Sequence, residues 1–144
     1  MLGDLSRLLK IEQLLLEAER PFDSDIKKQK TFYYDITDQI TNPDIHLIVL
    51  EHQKDIVGVG YAQVKSSKPA HIHDIHAYLG FMYVSPNLRG QGINQHIVGL
   101  LAQWSRDKGP QALYLDVYSQ NSSAIRAYGK VGFTPCLVEM KLKL

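Results

Sequence analysis

The apolar patterning of this chain predicts an α/β layered fold, with a central mixed, mostly antiparallel sheet flanked by about four helices. Two observations carry that expectation. Between Leu79 and Val117 a strand, a tight glycine turn, a helix and a second strand follow one another. Such a unit needs a parallel pair with a right-handed crossover. Between Ile45 and Lys65 two strand-like runs flank a short polar turn, and a hairpin is necessarily antiparallel.

The elements read as follows. Leu2 to Arg20 is a helix with Leu5, Leu8, Leu15 and Ala18 on one stripe, Asp4 as a candidate N-cap and Pro21 as its stop. Arg20 to Asp25 is a connection. Asp25 could cap a second helix through about Ile40, carrying Phe32, Tyr33, Ile36 and Ile40, which Asn42-Pro43 ends. Ile45 to Glu51 is a strand, Gln53-Lys54-Asp55 a turn, and Ile56 to Lys65 the partner strand. Its Gly58 and Gly60 leave close packing, a bulge or a merely weakened strand open. Ser66 to Asp74 is a polar loop, and Ile75 to Val84 a strand leading into Arg89-Gly90-Gln91-Gly92. From Ile93 the period changes: Ile93, Ile97, Leu100, Leu101 and Trp104 share a helical face as far as Lys108-Gly109-Pro110. Ala112 to Tyr118 reads as a strand, Ser122 to Val131 as a short helix closed by Gly132, and Cys136 to Leu144 as a last strand.

A length of 144 residues suits one domain spanning 1–144 with a single core. With 44% hydrophobic and 22% charged residues and a net charge of +1, the composition is that of a soluble protein without the basic surplus of a nucleic-acid binder. The single cysteine, Cys136, rules out an intrachain disulfide and fits a reducing compartment. No apolar run reaches spanning length and the N-terminus has no signal-peptide pattern. A cytoplasmic protein, without nucleic-acid or membrane partners and either monomeric or homodimeric, is expected.

The glycine turn is where chemistry is concentrated. Strand, glycine turn and helix together aim unpaired backbone N–H groups at an anion, and the helix N-terminus adds partial positive charge. Arg89 can add a full one. No Lys-Ser/Thr follows the second glycine, and a third glycine is missing, so neither the P-loop nor the GxGxxG spacing is met. The segments YVSPNLRGQGI and LYLDVYSQNSSAIRAYGKVGF, taken together, resemble the GNAT superfamily of acyl-CoA-dependent N-acyltransferases, from about Ile45 to the C-terminus. The resemblance implies a splayed pair of parallel strands that admits the pantetheine arm. It also implies a strand ahead of the first helix, which here is absent or lies outside this sequence.

By that resemblance acetyl-CoA is the acyl donor. Asn87, Leu88, Arg89, Gly90, Gln91, Gly92, Ile93 and Asn94 would hold its pyrophosphate, and Met82, Tyr83 and Val84 would pair with the pantetheine as strand with strand. Asn121 would be a further ligand of the arm, and Tyr128 both a cofactor contact and the general acid. Asn94 departs from the family pattern, which has Gly or Ala there. Read from the residues alone, Asn121 could equally cap its helix and Tyr128 could be a core aromatic. The base is less legible. Tyr78 occupies the strand position where relatives often carry a carboxylate; His76 shares its strand face and has a suitable unperturbed pKa, though a solvent-facing strand-end role is open to it. His71, His73 and His76 with Asp74 form HIHDIH, but nothing completes a ligand set and no metal is expected. The expected function is N-acetyl transfer from acetyl-CoA to a primary amine by direct attack in a ternary complex; the alternative is a non-catalytic acyl-CoA-sensing module of the same fold.

Overall fold

Residues 2–144 are described by a computed structural model. The sequence bounds hold closely wherever a local signal defines an element. Helix α1 (Leu5–Glu19) follows a single 3-10 turn at Leu2–Asp4 and buries Leu8, Ile11, Glu12 and Leu16. Strand β1 (Ile45–His52) turns through Gln53 and Lys54, both at positive φ (50° and 69°), into β2 (Asp55–Ser66). Strand β3 (Ile75–Val84) leads through the glycine turn to helix α3 (Ile93–Lys108), and helix α4 (Ser122–Val131) ends at Gly132 in the left-handed region. A strand ahead of Leu2 would lie outside the described residues.

Three expectations fail, the first because longer-range contacts override the local pattern. The second helix, α2, is only Ile36–Thr41, capped by Asp35, whose side chain accepts from Asp38 N–H at 2.9 Å. The residues before it are tied to α1 instead. Buried Glu12 accepts the N–H groups of Tyr33 and Tyr34 through Oε2 (3.0 and 2.9 Å), and Gln13 donates to the Thr31 carbonyl at 2.9 Å. Backbone groups committed to another helix cannot close helical bonds of their own. The predicted strand over Ala112–Tyr118 shrinks to β4 (Leu113–Tyr114), and the predicted strand over Cys136–Leu144 does not form at all; that segment is exposed along its whole length.

The sheet runs β1-β2-β3-β4, with β1-β2 and β2-β3 antiparallel and β3-β4 parallel. It is a mixed sheet with four α-helices. One core cluster packs α1 and α2 on one face (Leu8, Ile11, Ile36, Val59, Tyr61, Phe81, Tyr83), and a second packs α3 and α4 on the other (Ala62, Leu79, Ile97, Val98, Leu101). The glycines of β2 serve the second cluster. A Cβ at Gly60 would lie 2.8 Å from both Ile97 Cγ2 and Met82 Sδ, so the close approach of α3 to the sheet depends on its absence.

Strand β3 changes faces midway. Strict alternation would put Leu79, Phe81 and Tyr83 on one side. Leu79 instead packs with α3 while Phe81 and Tyr83 pack with α1. The register explains it. Tyr61 pairs with Gly80 and Val59 with Tyr83, so β3 spends one residue more than β2 between the two pairs. This is a β-bulge, and its extra residue is Phe81, at φ +51°. The parallel bonding of β3 to β4 covers only Ala77↔Leu113 and Tyr78↔Tyr114, just before the bulge. Beyond it the two chains part.

Candidate active site

The parted strands leave one edge of β3 without a strand partner from Leu79 onward, and Met82, Tyr83 and Val84 lie on that stretch. Unpaired strand N–H and C=O groups are what an extended amide-bearing arm needs for pairing. At the end of this edge the chain makes a 3-10 turn over Pro86–Leu88 and then the glycine turn. Gly90 and Gly92 sit at φ +80° and +81°, conformations that a side chain rarely tolerates. No side chain caps α3, whose first intrahelical bond runs from His96 N–H to the Gly92 carbonyl at 3.0 Å. The N–H groups of Ile93, Asn94 and Gln95 therefore have no helical acceptor and point out of the helix start. Arg89 donates through Nε to the Val84 carbonyl at 3.1 Å, which locks the turn to the end of β3. The rest of its guanidinium stays exposed beside the turn. Asn87 and Gln91 are exposed, and Leu88 is half-buried. Open donors at a helix start, adjoining an open strand edge, fit a pyrophosphate joined to a pantetheine arm.

Tyr128 faces this same helix start. Its hydroxyl lies on the Asn94 side of the helix start, and its ring meets Phe133 edge-on at 5.8 Å between centroids. Burial pushes the phenol up to about 12; nearby Asn94 opposes the shift and the charge of Glu19 adds to it. Asn94, the residue that departs from the family pattern, thus stands beside the candidate acid. Asn121 caps α4, its Oδ1 accepting from Ala124 N–H at 3.2 Å.

On the other face, side chains far apart in sequence converge. Tyr34 stacks on Phe81 (centroids 5.1 Å apart, 18° between planes) and its oxygen accepts the Phe81 N–H at 3.1 Å. That contact holds the bulge residue in its left-handed conformation. Tyr61 meets Tyr34 edge-on and lies where a Cβ on Gly80 would be, 2.5 Å from the ring, so Gly80 must be glycine here. Tyr78, at the point where the strands part, donates to Asp116 at 3.1 Å, and burial, then Asp116, raises its pKa. Further out, Tyr33 donates to Tyr118 (3.3 Å) and Tyr118 to Asp23 (2.8 Å), with Phe22 stacked on Tyr118. Glu19, next to Tyr33, is pushed up by burial.

His76 belongs to a different cluster. Its Nδ1 lies 2.9 Å from Ser67 Oγ, which also contacts His73 Nδ1 at 2.6 Å, and His73 Nε2 contacts the Tyr114 hydroxyl at 3.1 Å. Burial, then the neighbouring His73, Lys65 and His71, lowers its pKa. It stands five residues before Phe81, roughly 15 Å along an extended strand. Among the described residues no three His, Cys, Asp or Glu side chains converge as a metal ligand set.

Asp116, Tyr34, Tyr118 and Glu19 are the site-lining residues that sequence reasoning did not assign, whereas Asp23, Phe22 and Tyr33 lie in the segment that the family resemblance implies as the border of the acceptor site. One signal was available: Glu12 interrupts the apolar face of α1, and a buried carboxylate there must be bound by something.

Comparison with known proteins agrees with this geometry. Residues 9–133 match the acetyltransferase (GNAT) family. The uncharacterized N-acetyltransferase YobR of Bacillus subtilis (strain 168) is 32% identical over 57 residues, which is 40% of this chain and 23% of YobR, so the match spans about a quarter of that relative's length. The BH1408 protein of Bacillus halodurans, solved as a mutant form, superposes with a TM-score of 0.88 at 18% identity, covering 100% of this chain and 96% of the other. A predicted acetyltransferase of Clostridium acetobutylicum, solved with acetyl-CoA, superposes with a TM-score of 0.74 at 17% identity, covering 99% and 92%. At such identities the superpositions speak for the fold alone, while the family match covers most of the sequence. The chain belongs to the acetyltransferase (GNAT) family.

Proposed function

We propose that the chain, as one acyltransferase domain, moves the acetyl group of acetyl-CoA onto a primary amine by direct attack. The observation that carries this reading is the glycine turn with its uncapped helix start, next to an open β3 edge. Amides of Gly90 to Gln95, with Arg89 beside them, bind the pyrophosphate, and the β3 edge at Met82 to Val84 orients the pantetheine. Bound acetyl-CoA supplies an activated acyl carbonyl. Amine nitrogen bonds to that carbon, the carbon–sulfur bond breaks, one proton leaves the amine and one is delivered to sulfur.

The residues divide that proton traffic. Asp116, held by the Tyr78 hydroxyl where the strands part, takes the amine proton directly or through water, a role that sequence reasoning had offered to His76 or Tyr78. Tyr128 donates to the leaving sulfur. A phenol held near 12 is protonated at neutral pH, while nearby Asn94 acts to lower that value and so favours the phenolate left behind. Tyr33, Tyr118, Phe22 and Asp23 form the wall that an incoming amine meets, and acids beside aromatic rings suit a cation. Thiol release from acetyl-CoA, followed across a panel of primary amines, tests the reading. Amine-dependent release supports it; tight acetyl-CoA binding without release under any amine would make the chain a sensor of the same fold.

A further inference from the structure

The charged groups around the parting of β3 and β4 are sorted by sign. Tyr78 stands at that point, its hydroxyl donating to Asp116 at 3.1 Å. Over the face of the same ring, 4.7 Å from its centroid, lies the ammonium of Lys65. The register puts it there. Gln63 is opposite Tyr78 and Lys65 opposite His76, so Tyr78 is the diagonal neighbour that a long side chain reaches. Among the described residues, neither Lys65 nor Asp116 belongs to an ion pair. A cation and an anion thus flank one tyrosine ring, each without a partner of opposite charge.

Lys65 is not the only base at that corner. The loop from Ser67 to Asp74 is closed by Ser67 N–H on the Asp74 carbonyl at 2.8 Å, and it turns through His71 N–H on the Lys68 carbonyl at 2.9 Å. It brings His71 against His73, 5.2 Å between ring centroids, while Ser67 fastens both His73 and His76. After burial, the charges that lower the His76 pKa are those of His73, Lys65 and His71. Such a corner attracts an anion. The acids Glu19 and Asp23 lie apart from it, by Tyr33 and Tyr118. For an acceptor that is only a cation, a basic corner beside Asp116 is repulsive. For one that carries a carboxylate next to its amine, the corner is complementary, and the repulsion excludes simple amines.

We propose that the acceptor is a free amino acid, its amine presented to Asp116 and its carboxylate held by Lys65 across the Tyr78 ring. The inference rests on the reading of Asp116 as the group that takes the amine proton. The ring sets the scale. Asp116 and Lys65 are each one contact from Tyr78, so the two charged groups of the acceptor stand only a few bonds apart. The carboxylate takes no part in the bond changes: nitrogen still attacks the acyl carbon and sulfur still leaves. Lys65 is a specificity residue, and the three imidazoles add to its field.

Thiol release from acetyl-CoA, measured with tyrosine against tyramine and with arginine against agmatine, tests the proposal. Each pair differs by the carboxylate alone, and the two side chains suit the aromatic and acidic wall of Phe22, Tyr118 and Asp23. The parent's kcat/KM should favour the amino acid by about 10- to 100-fold, the usual worth of a hydrogen bond to a charged group. Lys65→Met keeps the stem and removes the charge; it should bring both ratios close to one, chiefly by raising KM for the amino acid. Lys65→Glu should turn them in favour of the amine. Lys65 is exposed, and circular dichroism with acetyl-CoA affinity checks that both variants are folded. If tyramine and agmatine release thiol as well as the amino acids do, or if the preference survives in folded Lys65→Met, the proposal is overturned and acetyl transfer stands. Release with other primary amines but with neither amino acid overturns it in the same way. No release with any amine removes the reading on which it rests, and the proposal with it.

Discussion

The two faces of the sheet are assembled by different means. On the α3 face everything that would hold a donor is contiguous: the open edge of β3, the glycine turn and the first turn of α3 occupy one uninterrupted run from Leu79 to Gln95. On the α1 face nothing is. Glu12 fixes the backbone of Tyr33 and Tyr34, Tyr34 fixes the N–H of Phe81, and Tyr118 reaches back to Asp23, contacts separated by 21 to 95 residues. A site half built from local geometry should tolerate damage to the other half. A site half built from long-range side-chain bonds should fail piecemeal.

The sharpest test of the contiguous face is the residue that closes it. Tyr128→Phe removes one oxygen and keeps the ring against Phe133. Turnover should drop by about two to four orders of magnitude, the usual worth of general acid catalysis, while acetyl-CoA affinity stays within a few-fold. Because the phenol is held near 12, the parent's rate should show no falling limb from this group at ordinary pH. Steady-state rates and calorimetric affinities on both forms decide the matter. A variant that turns over like the parent makes Tyr128 a packing residue.

Gly92→Val attacks the turn itself. At φ +81° a β-branched residue is strained by about 1–3 kcal/mol, and the first turn of α3 must move to relieve it. Acetyl-CoA affinity should drop by about 100-fold or more if that shift displaces the amides of Ile93 to Gln95 by an ångström, since each is a directional donor. Circular dichroism should show the helix content retained. Near-normal affinity in the folded variant would take the turn out of the donor site.

The same division explains what could be read in advance. Strand β3, the glycine turn, α3 and the capped end of α4 come from residues within one or two turns of each other, and their bounds were legible in the sequence. The bulge was not, because the pattern Ile75 to Val84 alternates plausibly with or without it. Only the pairing of Tyr61 with Gly80, and the hydroxyl of Tyr34, distant in sequence, select the extra residue. Residues 26–35 were misread as helix for the same reason: Phe32, Tyr33 and Ile36 have helical spacing, but Glu12 claims the backbone of Tyr33 and Tyr34. Asp116 was passed over because its partner, Tyr78, is a neighbour only once the parallel pair exists.

Tyr34→Phe probes the long-range face with a smaller effect. The ring still stacks on Phe81, but the Phe81 N–H loses its acceptor, at a cost of about 1–3 kcal/mol for a buried donor left unpaired. Denaturant melts should report that loss. Affinity for acetyl-CoA should change by no more than a few-fold, because the turn does not depend on the α1 face. A variant whose stability is intact and whose acetyl-CoA affinity collapses would reverse the comparison, making the bulge part of the donor site.

The smallest effect expected is that of His76→Ala, and it separates two roles for one imidazole. Were His76 the base, its loss would lower the rate and erase an inflection near its pKa. Its engagement with Ser67, shared with His73, argues for a rate within a few-fold of the parent and an unchanged rate profile. Asp116→Asn should lower turnover instead, while acetyl-CoA affinity is retained. A second readout keeps a small rate change interpretable. The folded state lowers the His76 pKa, so below the unfolded value, near 6.5, the unfolded chain binds a proton that the folded chain resists. Stability from this group is therefore present at neutral pH and lost as the solution is acidified. His76→Ala should flatten the dependence of the melting temperature on pH between neutrality and mild acid, without touching the rate profile over the same range. A variant that flattens both would restore His76 to the chemistry and leave Asp116 as the partner that positions Tyr78.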